Sequence, residues 1–514
     1  MHMKIRNILK AALGLASLIF FSAATVPRTQ IQSYAETASG GDVLGNAGFG
    51  IFAITCDGDT LAAVNSSRAM VPASNMKLLT TGTALHSLGP DYRYKTEIGY
   101  SGHITDGTLH GDLYIMGGGD PTLGSEDSIA VPAVQTFRQW RQFLADAGIR
   151  KIDGYIVGDG RFFDDVMEED TWLWNDIGTY YGTGVSGLSF FENVQNFHVK
   201  AGDRPGAPVI VTPGYPDAPW MEYRYSCVTG KAGTGNRLYY YTSGLAPVGE
   251  MRGTFAEDRQ PKTEEGSNKF PAYTCAWHFN EYLKGCGILC SGGAADLGKT
   301  FGLPEGRVME RDSLTVIGST FSPQLGRIAF ETNHESNNFY AETIFRTLGK
   351  EYCGGTGTYE DGRKAVEAIA GELGVSCSGI KIQDGSGLSR QNYVSPGFLC
   401  RFLRAMLDSP AADDFLGSLP SPGSGGTMAF VMTRYPEAVT SRIFLKSGSM
   451  DGTLCYSGYI LPAEIADGKV STARDADRSS IIIFSIMTGN CTSSPYQVRR
   501  TLEKMLFLLA MENA

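Results

Sequence analysis

A chain of 514 residues exceeds one ordinary hydrophobic core, so two or more domains are expected. Its composition, 42% hydrophobic and 19% charged, is that of a globular protein. A net charge of −10, a pI near 5.3 and the lack of a basic stripe argue against nucleic acid as a partner.

Lys4, Arg6 and Lys10 introduce an apolar run over residues 11–26, shorter than the ~20 residues of a membrane span. Small residues follow at Ser22-Ala23-Ala24 and at Ser33-Tyr34-Ala35, so residues 1–35 read as an export signal cleaved at one of these places. No cysteine precedes Cys56, which disfavours a lipoprotein anchor. An uncleaved N-terminal anchor is the alternative, and it would leave the protein in peripheral membrane contact. Either way the remainder is exported, and no later stretch is long enough to cross a bilayer.

Residues 44–70 alternate apolar and polar around Gly50-Ile51-Phe52-Ala53-Ile54 and break at Asp57-Gly58-Asp59, which predicts two strands and a turn. A helix follows over 78–88, stopped by Gly89-Pro90. Ser74-Asn75-Met76-Lys77 lies at its first turn. A serine and a lysine three apart there share one face, which suits a serine whose proton passes to a neighbouring amine.

From residue 92 to about 306 short strands and glycine turns dominate, including Leu113-Tyr114-Ile115 and Met116-Gly117-Gly118-Gly119-Asp120-Pro121. An amphipathic helix is predicted over 135–147 and a strand over 152–157. Residues 205–272, rich in Gly, Pro, Tyr and charge, read as loops and short strands. Helical texture returns at 324–348, interrupted near Asn333, and at 360–373. Asp384-Gly385-Ser386-Gly387-Leu388 is a turn and 396–407 a helix. Strands at 442–446, 455–461 and 480–487 precede a closing helix over 495–511. Helix–glycine–strand units near residues 148, 287 and 374 keep no fixed period, so there is no repeat.

Two fragments in this last part complement the serine–lysine pair: Ser336-Asn337-Asn338 and Lys446-Ser447-Gly448. A second S-x-x-K, Ser378-Gly379-Ile380-Lys381, leads into an extended segment where alternation puts serine and lysine on opposite faces, so it is a decoy. Ser74 and Ser336 must meet although roughly 260 residues part them. The economical arrangement is a discontinuous catalytic domain, 36–91 with 307–514, interrupted by one or two inserted domains at 92–306.

A hydroxyl is a poor nucleophile until a base takes its proton, and Lys77 is a base only as the free amine. Burial, Lys446 nearby and the positive helix N-terminus all favour that form. Ser336 can pass a proton to a leaving amine, and Asn338 can hold the substrate backbone. Lys446 and Ser447 suit an anionic substrate terminus, and Gly448 lets substrate approach the strand edge. An acyl oxyanion needs two backbone N–H groups, expected from Ser74 and Ser449. A Ser-His-Asp hydrolase is the obvious competitor, but there are seven histidines and no G-x-S-x-G; Gly184-Val185-Ser186-Gly187 misses it. His334 reads as a helix-surface residue. The ten cysteines are irregularly spaced and most read as buried small hydrophobes. Cys286 and Cys290 with His278 lack a second ligand pair at zinc spacing, so no metal is expected.

The three motifs form the S-x-x-K, S-x-N and K-T-G set of penicillin-binding proteins and class A β-lactamases. More closely, the chain resembles the D-alanyl-D-alanine carboxypeptidase/endopeptidases of the penicillin-binding protein 4 type over about residues 45–490. The resemblance extends to Pro72-Ala73 before Ser74, to Gly111-Asp112-Leu113-Tyr114 and Gly117-Gly118-Gly119-Asp120-Pro121-Thr122-Leu123, to Phe339-Tyr340-Ala341-Glu342 after Asn338, and to Asp384-Gly385-Ser386-Gly387-Leu388-Ser389-Arg390. It implies an α/β (α+β) transpeptidase-like domain, an antiparallel sheet flanked by helices, carrying a large, mostly-β insertion. It implies a periplasmic or cell-wall location, cleavage of D-Ala–D-Ala in peptidoglycan stem peptides and often of D-Ala cross-links, and covalent inhibition by β-lactams. Ser74 would be acylated, Lys77 the base, Ser336 the proton relay, Asn338 a substrate amide, and Lys446 with Ser447 the carboxylate site. No cofactor is implied. Asn337 stands where aspartate is frequent and Ser447 where threonine is usual; both keep a polar group. The alternatives are a β-lactamase, disfavoured by the long gap between the first two motifs, an esterase or D-aminopeptidase relative, and a non-catalytic wall-binding protein.

Overall fold

A computed structural model describes residues 29–304, 306–463 and 478–512. The charged and apolar parts of the expected export signal lie outside the described residues. The central element is a five-stranded antiparallel sheet in the order Ile443–Met450, Thr453–Ile460, Ile482–Gly489, Gly48–Thr55, Thr60–Val64. Strands from the two ends of the chain lie side by side, Gly48 opposite Gly489 and Thr55 opposite Ile482.

Both faces of this sheet are covered, which is why Ile482–Gly489 is apolar nearly throughout rather than alternating. The strand period of two still sorts its side chains. Ile483 and Met487 enter one core with Leu78 and Leu79 of helix Met76–Leu88 and Leu399, Phe402 and Leu403 of helix Pro396–Met406. Ile482, Phe484 and Ile486 enter the other with Ile31 of helix Gln30–Ser39 and Val498, Leu502 and Leu506 of helix Pro495–Met511. Helix Pro396–Met406 starts where expected because Ser395 caps it, accepting from the Phe398 N–H, and Pro396 supplies the first turn. The antiparallel sheet flanked by helices is the architecture anticipated for the catalytic domain.

The segment between the first two motifs builds its own mixed sheet, ordered Gly293–Asp296, Tyr155–Asp159, Leu113–Met116, Lys95–Tyr100, Thr315–Phe321. Helices Ala133–Asp146 and Pro271–Gly285 cover it, meeting through Phe137, Trp140 and Phe279. Because Thr315–Phe321 pairs with Lys95–Tyr100, we place the return to the catalytic domain near residue 322 rather than 307. Two three-stranded sheets follow the Tyr155–Asp159 strand in sequence. One contains Glu222–Gly230, Asn236–Ser243 and Ala246–Ala256, much longer strands than the composition of 205–272 suggested. Their core is small, chiefly Cys227, Tyr240, Met251 and Phe255, so most positions face solvent and the sequence reads as loop.

Of the ten cysteines only Cys227, Cys275, Cys400 and Cys455 are buried, fewer than expected. Among the described residues no helix is long and apolar enough to cross a membrane. Helix Gln30–Ser39 crosses the expected 1–35 boundary, and we place that boundary before it. Thr29 caps it and donates to the Leu61 carbonyl at 2.6 Å, Gln32 accepts from the Ala63 N–H at 2.7 Å, and Ile31 and Ala35 are fully buried. Cleavage after Ala35 would remove folded, packed chain. Any processed N-terminus is therefore expected upstream of Thr29, as N-terminal sequencing would read. A chain starting at residue 36 should melt several degrees lower than one starting at 29, since losing a buried Ile alone costs about 2–5 kcal/mol.

Candidate active site

Ser74 sits in a tight turn, Ala73–Asn75, that runs into helix Met76–Leu88. The helix is buried from Met76 through Leu85, so it is the axis of the catalytic domain and not a surface helix. Two glycines let other segments close on the turn. A β-carbon on Gly387 would lie 1.9 Å from the Ala73 carbonyl oxygen, and one on Gly448 would lie 2.5 Å from that of Pro72. Gly448 thus admits the Ser74 turn against the edge strand Ile443–Met450, a constraint that stands beside the substrate approach expected there. Ala73 itself has φ near +48°, a costly conformation that this packing holds.

Lys77 is fully buried. Its Nζ lies 3.1 Å from Ser74 Oγ, 2.6 Å from Asn338 Oδ1 and 2.9 Å from the Ser386 carbonyl oxygen. A neutral amine has two N–H bonds and one lone pair. Asn338 and Ser386 use both N–H bonds, which leaves the lone pair for the Ser74 hydroxyl proton. Burial lowers Lys77 from the usual lysine range to about 7, against the opposing pull of the Glu342 and Asp384 charges.

The Ser336-Asn337-Asn338 motif ends one helix and starts the next. Leu325–His334 stops, Ser336 takes φ near +59°, and Asn337 caps Asn338–Cys353 by accepting from the Tyr340 N–H at 3.0 Å. His334, expected on a helix surface, is half-buried with its ring stacked on Phe330. Asn338 is occupied at both ends of its amide, since Nδ2 also donates to the Tyr181 carbonyl at 3.0 Å. Lys446 Nζ donates to Ser336 Oγ at 3.0 Å and to the Ser447 carbonyl at 2.9 Å. Burial, with Lys77 adding to it, puts Lys446 well below the usual lysine range. Ser447 Oγ lies 3.3 Å from Thr427 Oγ1. The decoy is elsewhere: Ser378 and Lys381 are exposed, and Lys381 donates to Gln391.

Ser74, Ser336, Asn338, Thr427 and Ser449 line a cleft of about 1010 Å³ whose opposite wall comes from the inserted segment, including Asp176, Tyr181 and Glu192. Several supporting residues escaped the sequence reading. Glu342 accepts from the Gly385 and Ser386 N–H groups at 3.0 and 2.8 Å, fixing the loop residue whose carbonyl holds Lys77. Burial and the Asp384 charge keep Glu342 well above the usual carboxylate range. Asp384 accepts from Gly387, Ser389, Asn392 and the Trp172 indole. One signal was available: Glu342 stands four after Asn338, one turn along the same helix face.

The D-Ala-D-Ala carboxypeptidase 3 (S13) family model matches residues 32–508. A D-alanyl-D-alanine carboxypeptidase of Actinomadura sp. (strain R39) is 30% identical over 431 residues, 79% of this chain and 73% of that protein. Penicillin-binding protein 4 of Haemophilus influenzae has a similar fold, with TM-score 0.76 at 20% identity, covering 94% of this chain and 99% of that one. The same protein solved with a bound β-lactam gives TM-score 0.71 at 18% identity, covering 94% and 98%.

Reactivity of Ser74 toward an activated ester should follow the free amine of Lys77. Below about 7 the lysine keeps its proton, its lone pair is lost, and the rate should fall ~tenfold per pH unit; above it the rate should level off. Lys77→Arg, a cation that does not deprotonate, should lose ~10²–10⁴-fold in stopped-flow acylation without unfolding.

Proposed function

The chain belongs to the D-Ala-D-Ala carboxypeptidase 3 (S13) family, and on that premise we propose that it is a penicillin-sensitive serine peptidase of peptidoglycan stem peptides working through an acyl-Ser74 intermediate. The observation that carries the assignment of residues is the position of Lys77 Nζ, within hydrogen-bond distance of Ser74 Oγ, Asn338 Oδ1 and the Ser386 carbonyl, so that the neutral amine, with two N–H bonds for the latter two, has a lone pair for Ser74.

Lys77 takes the Ser74 proton as Oγ attacks the carbonyl of the penultimate D-alanine. The oxyanion is held by the backbone N–H groups of Ser74 and Ser449. Ser336 gives its proton to the departing D-alanine nitrogen and is reprotonated by the proton Lys77 took from Ser74, relayed through the Lys446 amine 3.0 Å away, so Lys446 ends unchanged and Lys77 returns to the free amine. The terminal carboxylate lies by Ser447 and Thr427, with Lys446 behind them. Water then attacks the ester, Lys77 again serving as base, and the shortened stem leaves. A cleft of this size, open along the inserted wall, also admits a second stem in place of free D-alanine, which is the endopeptidase reaction. Such a substrate lies outside the cytoplasmic membrane, in keeping with export to the periplasm or cell-wall space.

Brief exposure to a penicillin should add one drug mass, located on Ser74 by peptide mass spectrometry and absent from Ser74→Ala. The same variant should lose D-alanine release from a stem pentapeptide by ~10³-fold or more. An unmodified protein with rapid loss of the drug would make it a β-lactamase; an unmodified protein with the drug intact would overturn the acyl-serine reading.

A further inference from the structure

The second motif is gripped from the inserted segment. Phe191, Glu192 and Asn193 form a turn pinned by the Asn193 side chain, whose Oδ1 accepts from the Phe190 N–H at 3.1 Å and whose Nδ2 donates to the Gly184 carbonyl at 3.0 Å and Ser189 Oγ at 3.1 Å. The turn delivers Glu192 to the cleft wall. Its Oε2 accepts from Asn337 Nδ2 at 2.8 Å and its Oε1 from Ser125 Oγ at 2.5 Å. Asn337 is therefore a bridge. Its Oδ1 caps the helix that begins with Asn338, and its Nδ2 is tied to the inserted segment. Two neighbouring bonds run the same way, Asn338 Nδ2 to the Tyr181 carbonyl and the Tyr340 hydroxyl to Asp127 at 3.1 Å.

This grip bears directly on the chemistry. Ser336 and Asn338 flank Asn337, and each touches one of the two lysines. An amide cannot cap the helix and satisfy a carboxylate at once unless its oxygen faces the helix and its nitrogen faces Glu192. Glu192 therefore fixes which way Asn337 points, and with it the turn that aims both neighbours. Resting on the acyl-serine reading above, we propose that Glu192 is a positioning residue for acyl transfer, and that the inserted segment is through it a working part of the catalytic centre.

The pair can be tested by exchange. Asn337→Asp sets two carboxylates against each other, and Glu192→Ala leaves the amide unheld. Each should slow acylation of Ser74 at saturating penicillin by roughly 10- to 100-fold while leaving drug affinity within about threefold. Glu192→Gln combined with Asn337→Asp restores one donor facing one acceptor, and should recover acylation to within a few fold of the wild type. That recovery separates positioning from simple damage to the fold, because the double variant differs from wild type at both sites. Wild-type acylation in Asn337→Asp, or a double variant no faster than Asn337→Asp alone, would overturn the proposal. Failure of the wild type to acylate would overturn the proposed function and this inference with it.

Discussion

A lysine amine placed beyond the reach of water must find acceptors for its N–H bonds or be expelled, and the catalytic domain is arranged around meeting that demand for Lys77. One acceptor comes from the helix that begins at Asn338 and the other from the Ser386 carbonyl, two segments far apart in sequence. Each needs its own support. Asn338 is steadied by the Tyr181 carbonyl, and the Ser386 peptide by Glu342. The buried helix, the glycine-rich loop and the cap of the next helix are thus parts of one hydrogen-bond arrangement, in which a partly satisfied network would cost more than none.

The same arrangement explains why the acids behind Lys77 face backbone amides rather than the lysine. Glu342 and Asp384 lie near enough to act on Lys77 through space, yet their oxygens are filled by N–H groups of residues 385–389. A direct ion pair would hold the lysine charged. Spending the carboxylates on the backbone instead keeps the loop rigid and leaves the amine able to lose its proton.

The sequence was most legible where chemistry is local. Ser74 and Lys77 sit one helical turn apart, so spacing alone places them together, and Pro396, Pro495 and Gly89 mark element ends by backbone rules that need no neighbours. Legibility failed where a residue acts across the fold. Glu192 and Thr427 lie in single 3₁₀ turns and Asp384 in a loop, too short for periodicity, and their partners are 145, 20 and 212 positions away for Asn337, Ser447 and Trp172. Gly448 reads from the sequence as a place where substrate approaches the strand edge; that its β-position also faces the Pro72–Asn75 turn, far away in sequence, needs the fold to be seen. The long strands of 222–256 were missed because their side chains mostly meet water, which removes the alternation that marks a strand.

The pairing of Gly48–Thr55 with Ile482–Gly489 has a consequence for how this molecule comes into being. A chain emerging from its N-terminus presents the first strand and the Ser74 helix early, with no sheet for them to join. Their partners, Ile443–Met450 and Ile482–Gly489, emerge only near the end. The inserted segment, whose sheet closes at Thr315–Phe321, can fold long before that. Closure of the catalytic sheet is then a late, high-separation event, slow by topology. Until Ile482–Gly489 has emerged and paired, the site has no sheet to rest on, and competence arrives all at once with that pairing.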